Sequence, residues 1–187
     1  DGMLVIRNGT IVFEKEYTND YDSLFITTNT EPGMYNYFDP KWHPYYKDTR
    51  LHTMQSVSKS LTATAVGIAL KNGQIPGLDA KIMNYFDEYE SSTPDHRRDA
   101  MTIRDVLTMT TGIRWDESSM PYTDPTSNCV QMEKSSDWVQ YVIDQPIEFE
   151  PGEKFEYNSG ATMLLSYLIK NTTGLDLTDY VKTNLFE

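Results

Sequence analysis

The chain of 187 residues has one cysteine, no long apolar run and few basic residues. The single cysteine, Cys129, excludes a disulfide within this chain and argues against a cysteine-based metal site. No apolar stretch approaches the roughly 20 residues that a membrane-crossing helix requires. The 16 basic residues against 28 acidic ones give a net charge of −12, which disfavours nucleic acid and anionic membranes as partners.

Histidine is also scarce. The three histidines, His43, His52 and His96, show no spacing typical of metal ligands, and we interpret them as surface or capping residues. What is present fits part of a larger globular fold, because 39% of the residues are hydrophobic and the length permits a sizeable core.

Ser56 and Lys59 stand three positions apart, which is the most informative spacing in the chain. Positions i and i+3 share one face of a helix, so the Lys59 amine can lie beside the Ser56 hydroxyl. A desolvated amine can act as the base for a hydroxyl nucleophile. A chain of this composition contains such a pair about once by chance, so the surrounding sequence must decide. The alternative is a solvated lysine in a first helical turn.

The residues after Lys59 predict a core helix. Small residues lie all round the predicted helix axis, and no charge follows Lys59 until Lys71. Such a helix is expected to be packed on all sides. Lys71 and Gly73 are typical signals for its end.

A second informative stretch lies near the C-terminal end. A Pro-Gly turn at 151–152 is followed by a predicted helix at 161–170, for which Asn158 or Ser159 can be the N-cap. Tyr157 directly precedes this cap. Considered alone, Tyr157 is interpreted as a half-buried aromatic residue and Ser159 as a helix cap.

The N-terminal residues 1–17 predict a β-hairpin with Asn8 and Gly9 as its two-residue turn. Residues 18–50 form a long polar segment rich in aromatic side chains. We interpret it as a loop that covers the edge of the core, and the alternative is a wall of a cleft. Residues 51–187 are expected to be mainly helical.

Further local signals divide this helical part. Thr102 is predicted to cap a short helix to which Asp105 returns the capping contact, and Thr111 and Gly112 are predicted to end it. Residues 114–134 are rich in turn signals.

Two more helices follow. One is predicted to be capped by Ser135 or Ser136 and to stop at Pro146, and the other covers 177–185. A hairpin followed by helices indicates an α+β arrangement, in which an antiparallel sheet lies beside a helical region.

Together these segments resemble the penicillin-recognising serine hydrolases. The branch is the one that holds class C β-lactamases, D-amino-acid-releasing peptidases, β-lactamase-like esterases and 6-aminohexanoate-dimer hydrolases. The resemblance rests on 55–60, 101–115 and 151–160, whose order and spacing fit the family. It implies a β-lactamase/transpeptidase-like α+β fold, with an antiparallel sheet flanked by helices and a largely helical subdomain.

The resemblance implies roles for four residues. Ser56 would be the acylated nucleophile, Lys59 its proton acceptor and Tyr157 a second general acid or base. Ser159 stands where the family's Tyr-x-Asn motif usually has asparagine, so it is expected at the substrate-binding position. A serine hydroxyl is shorter than an amide side chain, and this departure favours the amide-hydrolase and esterase relatives over β-lactamases.

The family's third motif, Lys-Thr-Gly or His-x-Gly on a strand that supplies an oxyanion-hole N–H, does not occur in this sequence. We therefore expect residues 1–187 to be the N-terminal portion of a single catalytic domain that lacks its C-terminal strands. The C-terminal remainder is expected to be needed to complete the site, so this portion alone is expected to be inactive.

The resemblance implies a serine hydrolase that acts on a small-molecule amide, ester or peptide through an acyl-serine intermediate, with no metal or organic cofactor. The competing interpretation is a noncatalytic penicillin-binding or sensor-type protein on the same scaffold. β-Lactams, peptidoglycan stem peptides, D-amino-acid peptides, short esters and oligoamides all stay open as substrates. The compartment is open too, with the periplasm or secretion preferred over the cytoplasm.

Overall fold

The computed structural model describes residues 2–17, 41, 54–122 and 124–187. The chain divides into two compact units, Asp1–Gln55 and Ser56–Glu187. The predicted aromatic-rich loop at 18–50 lies outside the described residues except for Lys41, and His43 and His52 lie outside them as well.

The first unit contains the predicted hairpin. Strand β1, Gly2–Arg7, pairs antiparallel with strand β2, Thr10–Glu16. Asn8 and Gly9 have φ angles of 51° and 74°, the left-handed conformation that a tight hairpin turn requires. Every residue of both strands is exposed, on both faces of the ribbon.

The second unit is helical. A 3₁₀ turn, Gln55–Val57, leads into the first helix, and the α-helices in chain order are α1 (Ser58–Lys71), α2 (His96–Ala100), α3 (Ile103–Leu107), α4 (Asn128–Lys134), α5 (Trp138–Ile143), α6 (Ser159–Thr173) and α7 (Leu177–Val181). A second 3₁₀ turn spans Ile82–Tyr85, and a π-helical turn, Lys182–Phe186, follows α7.

The core of this unit forms where α1 and α6 pack together. Both helices contribute apolar side chains that are 5% exposed or less, and α5 and α7 add to the same cluster: Ala65, Val66, Ala69, Val142, Ile143, Leu164, Leu165, Leu168, Ile169 and Tyr180. Full burial of one leucine or isoleucine side chain contributes about 1.5–3 kcal/mol, so the leucine and isoleucine side chains that α6 buries here contribute substantially to the stability of the unit.

Helix α1 begins and ends close to its predicted limits, but it is not packed on all sides. Ala65, Val66 and Ala69 are buried, whereas Ala63 and Gly67 on the opposite face are exposed. The expected packing on all sides is thus not met among the described residues, and alanine, glycine, serine and threonine suit a packed face and a solvated one equally well.

Three other local predictions need correction. Asn128–Lys134 forms helix α4 inside the segment predicted to be turn-rich. Asp137, not Ser135 or Ser136, caps α5 by accepting from the Gln140 N–H. Helix α3 ends at Leu107, before the predicted Thr111–Gly112 stop, although its Thr102–Asp105 capping box is present as predicted.

Among the described residues, no helix combines the length and the apolar character needed to cross a membrane.

Candidate active site

Ser56 and Lys59 lie side by side at the entrance to α1. Ser56 belongs to the 3₁₀ turn and Lys59 to the first turn of the helix, so the three-residue spacing places both on one face. The Lys59 Nζ donates a hydrogen bond of 3.2 Å to the Ser56 Oγ. Ser56 is exposed and Lys59 is half-buried, which leaves the hydroxyl accessible.

Tyr157 reaches the same hydroxyl from the other end of the unit. Its Oη donates a hydrogen bond of 2.7 Å to the Ser56 Oγ. The Lys59 Nζ lies 5.1 Å from the centroid of the Tyr157 ring, within the range of a cation–π contact. The Ser56 oxygen is therefore bonded to two groups that can exchange protons with it.

Tyr157 is held in this position by backbone hydrogen bonds between two segments, 109–113 and 147–156. The Gly112 carbonyl accepts from the Glu148 N–H at 2.8 Å, and the Met109 carbonyl accepts from the Glu156 N–H at 2.9 Å. The last of these bonds fixes the residue directly before Tyr157.

On the C-terminal side of Tyr157, the backbone is held by the start of helix α6. The Asn158 side chain is the N-cap and accepts from the Ala161 N–H at 3.0 Å, as one of the two predicted caps. Gly160 permits close packing there, since a Cβ on it would lie 2.5 Å from Val142 Cγ2 and 2.8 Å from Trp115 Cη2.

Ser159 directs its hydroxyl hydrogen to a carboxylate. Its Oγ donates to Glu117 Oε1 at 2.7 Å, and its backbone N–H donates to Glu117 Oε2 at 2.9 Å. A hydroxyl has one hydrogen. While it is donated to Glu117, the Ser159 Oγ can take part in a further hydrogen bond only as an acceptor. The site thus brings together Ser56, Lys59 and Tyr157, and it pairs Ser159 with Glu117.

Sequence analysis did not single out Glu117. It is 2% exposed, and it also accepts from Trp115 Nε1 at 2.6 Å and from Tyr122 Oη at 3.1 Å. Nothing in its neighbourhood marks it, because an acidic residue between an aspartate and two serines resembles an ordinary solvated turn.

The buried carboxylate alters the groups around it. Burial raises the pKa of the Cys129 thiol from 9.0 to about 12, and the charges of Glu117 and Glu133 add to the rise. Burial and the Glu117 carboxylate also raise the pKa of Tyr122 well above its usual value. Both groups therefore stay protonated near neutral pH.

A cleft of about 640 Å³ opens beside Tyr157. Its lining includes Phe155, Trp115, Arg114 and the exposed Glu148. Within the described ranges, no three histidine, cysteine, aspartate or glutamate side chains are grouped so that they could hold a metal ion.

The matching family model is Beta-lactamase, which covers residues 2–187. The chain is 24% identical over 149 residues to penicillin-binding protein 4* of Bacillus subtilis (strain 168), covering 75% of this chain and 29% of that protein. It is 28% identical over 146 residues to the 6-aminohexanoate-dimer hydrolase of Paenarthrobacter ureafaciens, covering 72% of this chain and 35% of that protein.

A solved D-stereospecific amidohydrolase from Streptomyces sp. superposes with a TM-score of 0.55 at 21% identity, over 71% of this chain and 40% of that chain. This likeness supports the predicted fold class. The chain spans between 29% and 40% of the length of the curated relatives it matches. The fold is β-lactamase/transpeptidase-like, and the chain belongs to the Beta-lactamase family.

Proposed function

We propose that this protein is a serine hydrolase that cleaves an amide or an ester through an acyl-serine intermediate. The observation that carries the proposal is the pair of hydrogen bonds to the Ser56 Oγ, from Lys59 Nζ at 3.2 Å and from Tyr157 Oη at 2.7 Å. An exposed hydroxyl held between an amine and a phenol is the arrangement that nucleophilic catalysis needs.

In the proposed reaction, the Ser56 Oγ attacks the substrate carbonyl carbon, and the serine proton passes to Lys59 Nζ in its neutral amine form. The carbonyl becomes a tetrahedral oxyanion, which collapses when the bond to the leaving amine or alcohol breaks. Tyr157 Oη donates a proton to this leaving group and becomes a phenolate. The protonated Lys59 Nζ then passes the proton that it took from Ser56 to the Tyr157 oxygen. Water then attacks the acyl-serine ester, releasing the acid and restoring the Ser56 hydroxyl.

The relatives support the class of substrate. Their names include a 6-aminohexanoate-dimer hydrolase and a D-stereospecific amidohydrolase, and both names denote hydrolysis of amides. Ser159 stands where the family usually has an amide side chain. Its hydroxyl hydrogen is already donated to Glu117, so it cannot donate to a substrate as that amide would, and this difference fits the same preference. We therefore propose an amide or ester substrate and keep Ser159 as a candidate substrate contact.

The test is hydrolysis of p-nitrophenyl acetate by the full-length protein and by Ser56→Ala. We expect the variant to lose activity by about 10³-fold or more, because no other group replaces the nucleophile. Ser60→Ala is the matched control, since Ser60 is also an exposed serine of the same helix turn. It should retain wild-type activity. For a simple alkyl ester such as ethyl acetate, whose leaving alcohol must be protonated, Tyr157→Phe should lower kcat by about 10²–10⁴-fold through loss of proton transfer.

Equal hydrolysis by wild type and Ser56→Ala would refute the proposed mechanism. Mass spectrometry with benzylpenicillin distinguishes the competing function. A stable adduct on Ser56 without turnover of any ester would favour a noncatalytic penicillin-binding protein over a hydrolase.

A further inference from the structure

Glu117 is a buried carboxylate that accepts four hydrogen bonds. Its Oε2 accepts from Trp115 Nε1 at 2.6 Å and from the Ser159 backbone N–H at 2.9 Å. Its Oε1 accepts from the Ser159 hydroxyl at 2.7 Å and from the Tyr122 hydroxyl at 3.1 Å. A carboxylate has about four lone-pair sites, so these donors use its whole capacity.

The four donors come from two parts of the chain. Trp115 and Tyr122 belong to the loop between α3 and α4, whereas Ser159 is the first residue of α6. Glu117 therefore joins this loop to the helix start, at a place where Trp115 is already in close contact with Gly160. The Glu117 side chain thus adds hydrogen bonds to the direct packing between the loop and the helix start.

That distance matters for Tyr157, which lies two residues before Ser159. The Tyr157 Oη must stay within about 3 Å of the Ser56 Oγ to exchange a proton. A displacement of about 1 Å at a catalytic group can cost about 10²-fold in rate. A change that moves the start of α6 is thus expected to change the distance between Tyr157 and Ser56 and to lower the reaction rate.

We propose that Glu117 is a positioning residue for the reaction, acting through Ser159 on Tyr157. The proposal rests on the function proposed above. In this role the length of the Glu117 side chain matters more than its charge, because the side chain must bond to the loop and to the start of α6 at the same time. Two of its donors, the indole N–H and the backbone N–H, cannot accept, whereas the two hydroxyls can rotate to do either.

Two substitutions separate reach from charge. Glu117→Gln keeps the length of the side chain and removes the charge. Its amide oxygen can accept from Trp115 and the Ser159 N–H, while its NH₂ group donates to the two rotated hydroxyls. Glu117→Asp keeps the charge but is one methylene shorter, so it cannot serve loop and helix together without moving one of them.

We expect kcat for a simple alkyl ester such as ethyl acetate, whose leaving alcohol must be protonated, to fall by about 10–100-fold in Glu117→Asp and to stay within about threefold of wild type in Glu117→Gln. KM should change little, because the lost contribution acts on proton transfer. Glu150→Gln is the control. It makes the same chemical change at an exposed carboxylate that does not line the cleft beside Tyr157, and it should leave kcat unchanged.

Wild-type kcat in a folded Glu117→Asp would overturn the proposal, and so would an equal loss in the Gln and Asp variants, which would indicate a role for charge. Should the Asp variant not fold, as judged by circular dichroism, Tyr122→Phe removes one donor to Glu117 and keeps the phenyl ring. It should lower kcat, and an unchanged kcat would then count against the proposal.

A second readout does not depend on turnover. In a crystal structure of Glu117→Asp, or of Tyr122→Phe if the Asp variant does not fold, we expect the Tyr157 Oη to lie more than about 3.5 Å from the Ser56 Oγ, beyond hydrogen-bond distance. An unchanged distance would overturn the positioning role. If the wild type shows no Ser56-dependent hydrolysis, the proposed function fails, and this distance still decides what Glu117 does.

Discussion

Cys129 lies beside the candidate active site and is 6% exposed. Its surroundings are apolar and negatively charged, and both properties oppose formation of a thiolate. Reaction of a thiol with disulfides or alkylating agents requires the thiolate, and the rate falls steeply when the pKa rises. Cys129 is therefore expected to be inert in the folded protein, although Ser159 and Glu117 are its neighbours.

This predicts that the native protein and its Cys129→Ser variant react equally with Ellman's reagent at pH 8, because the Cys129 thiol pKa is raised to about 12 and the sulfur is buried. In 6 M guanidinium the wild type should release one equivalent of thionitrobenzoate more than Cys129→Ser. Rapid release of that extra equivalent by the native wild type would show that the thiol is accessible.

The sequence predicts Ser56, Lys59 and Tyr157 as site residues because their types and spacing match a family motif, and the structure places the three side chains together. It gives no such signal for Glu117. The role proposed for that residue rests on burial and on four donors, two of which belong to Ser159, far along the chain. A carboxylate that is buried and one that is solvated look alike in a sequence, since only tertiary packing separates them.

At the scale of elements, the paired segments that carry Tyr157 depend on Gly112. This residue has a φ of 74°, and a Cβ on it would lie 2.2 Å from the carbonyl oxygen of Phe149. Its own carbonyl accepts from the Glu148 and Phe149 N–H groups. The two segments can approach this closely only with a glycine at that position.

We expect Gly112→Ala to destabilise the protein by about 3 kcal/mol, because it combines a steric clash with backbone oxygen and an unfavourable φ. Urea unfolding followed by circular dichroism measures the change. Gly67→Ala is the matched control, since nothing lies within 4 Å of a Cβ there. It should be neutral or stabilising by up to about 1 kcal/mol, as alanine favours a helix. Equal midpoints for the two variants would contradict the packing described.

Element boundaries followed the sequence where a cap carries a specific signal. Thr102 with Asp105 was predicted to form a capping box, and Asn158 was one of two predicted caps of α6; the side chains of these residues make those contacts. The α5 cap was wrong because Ser135, Ser136 and Asp137 are all competent caps. Burial of Val142 and Ile143 selects the register, and that information is tertiary.

At the scale of the whole molecule, the fold class could be predicted because the motifs are spread along most of the chain. The exposure of one face of α1 could not be predicted from the sequence, because the small residues there are compatible with a buried face and with an exposed one. The large excess of acidic residues also acts at this scale, through the pH dependence of stability.

We expect stability to fall as the pH drops below about 4. The side-chain hydrogen bond from Arg97 lowers the pKa of Asp95 well below its usual value, and those from Ser119 and Thr126 lower the pKa values of Asp116 and Asp124. The unfolded state therefore binds more protons in this range, so stability present above the unfolded pKa near 3.8 is lost on acidification.

Urea midpoints between pH 3 and pH 7 test this. Repulsion among acidic residues weakens toward the isoelectric point near 4.6, so little loss is expected above that pH. Asp95→Asn should show a shallower loss on acidification, because asparagine can still cap α2 but does not titrate. A midpoint that stays constant down to pH 3 would exclude this linkage.

The hydrogen bond between Tyr157 and Ser56 joins residues 101 positions apart. Closing a chain loop of that size costs about 4 kcal/mol in entropy, whereas one hydrogen bond contributes about 1 kcal/mol net. The contact therefore cannot form ahead of the packing of α1 on α6, and it must appear late when the chain folds. Recovery of the Tyr157–Ser56 contact during refolding consequently reports when the two helices have docked, which far-ultraviolet signals of helix formation alone do not reveal.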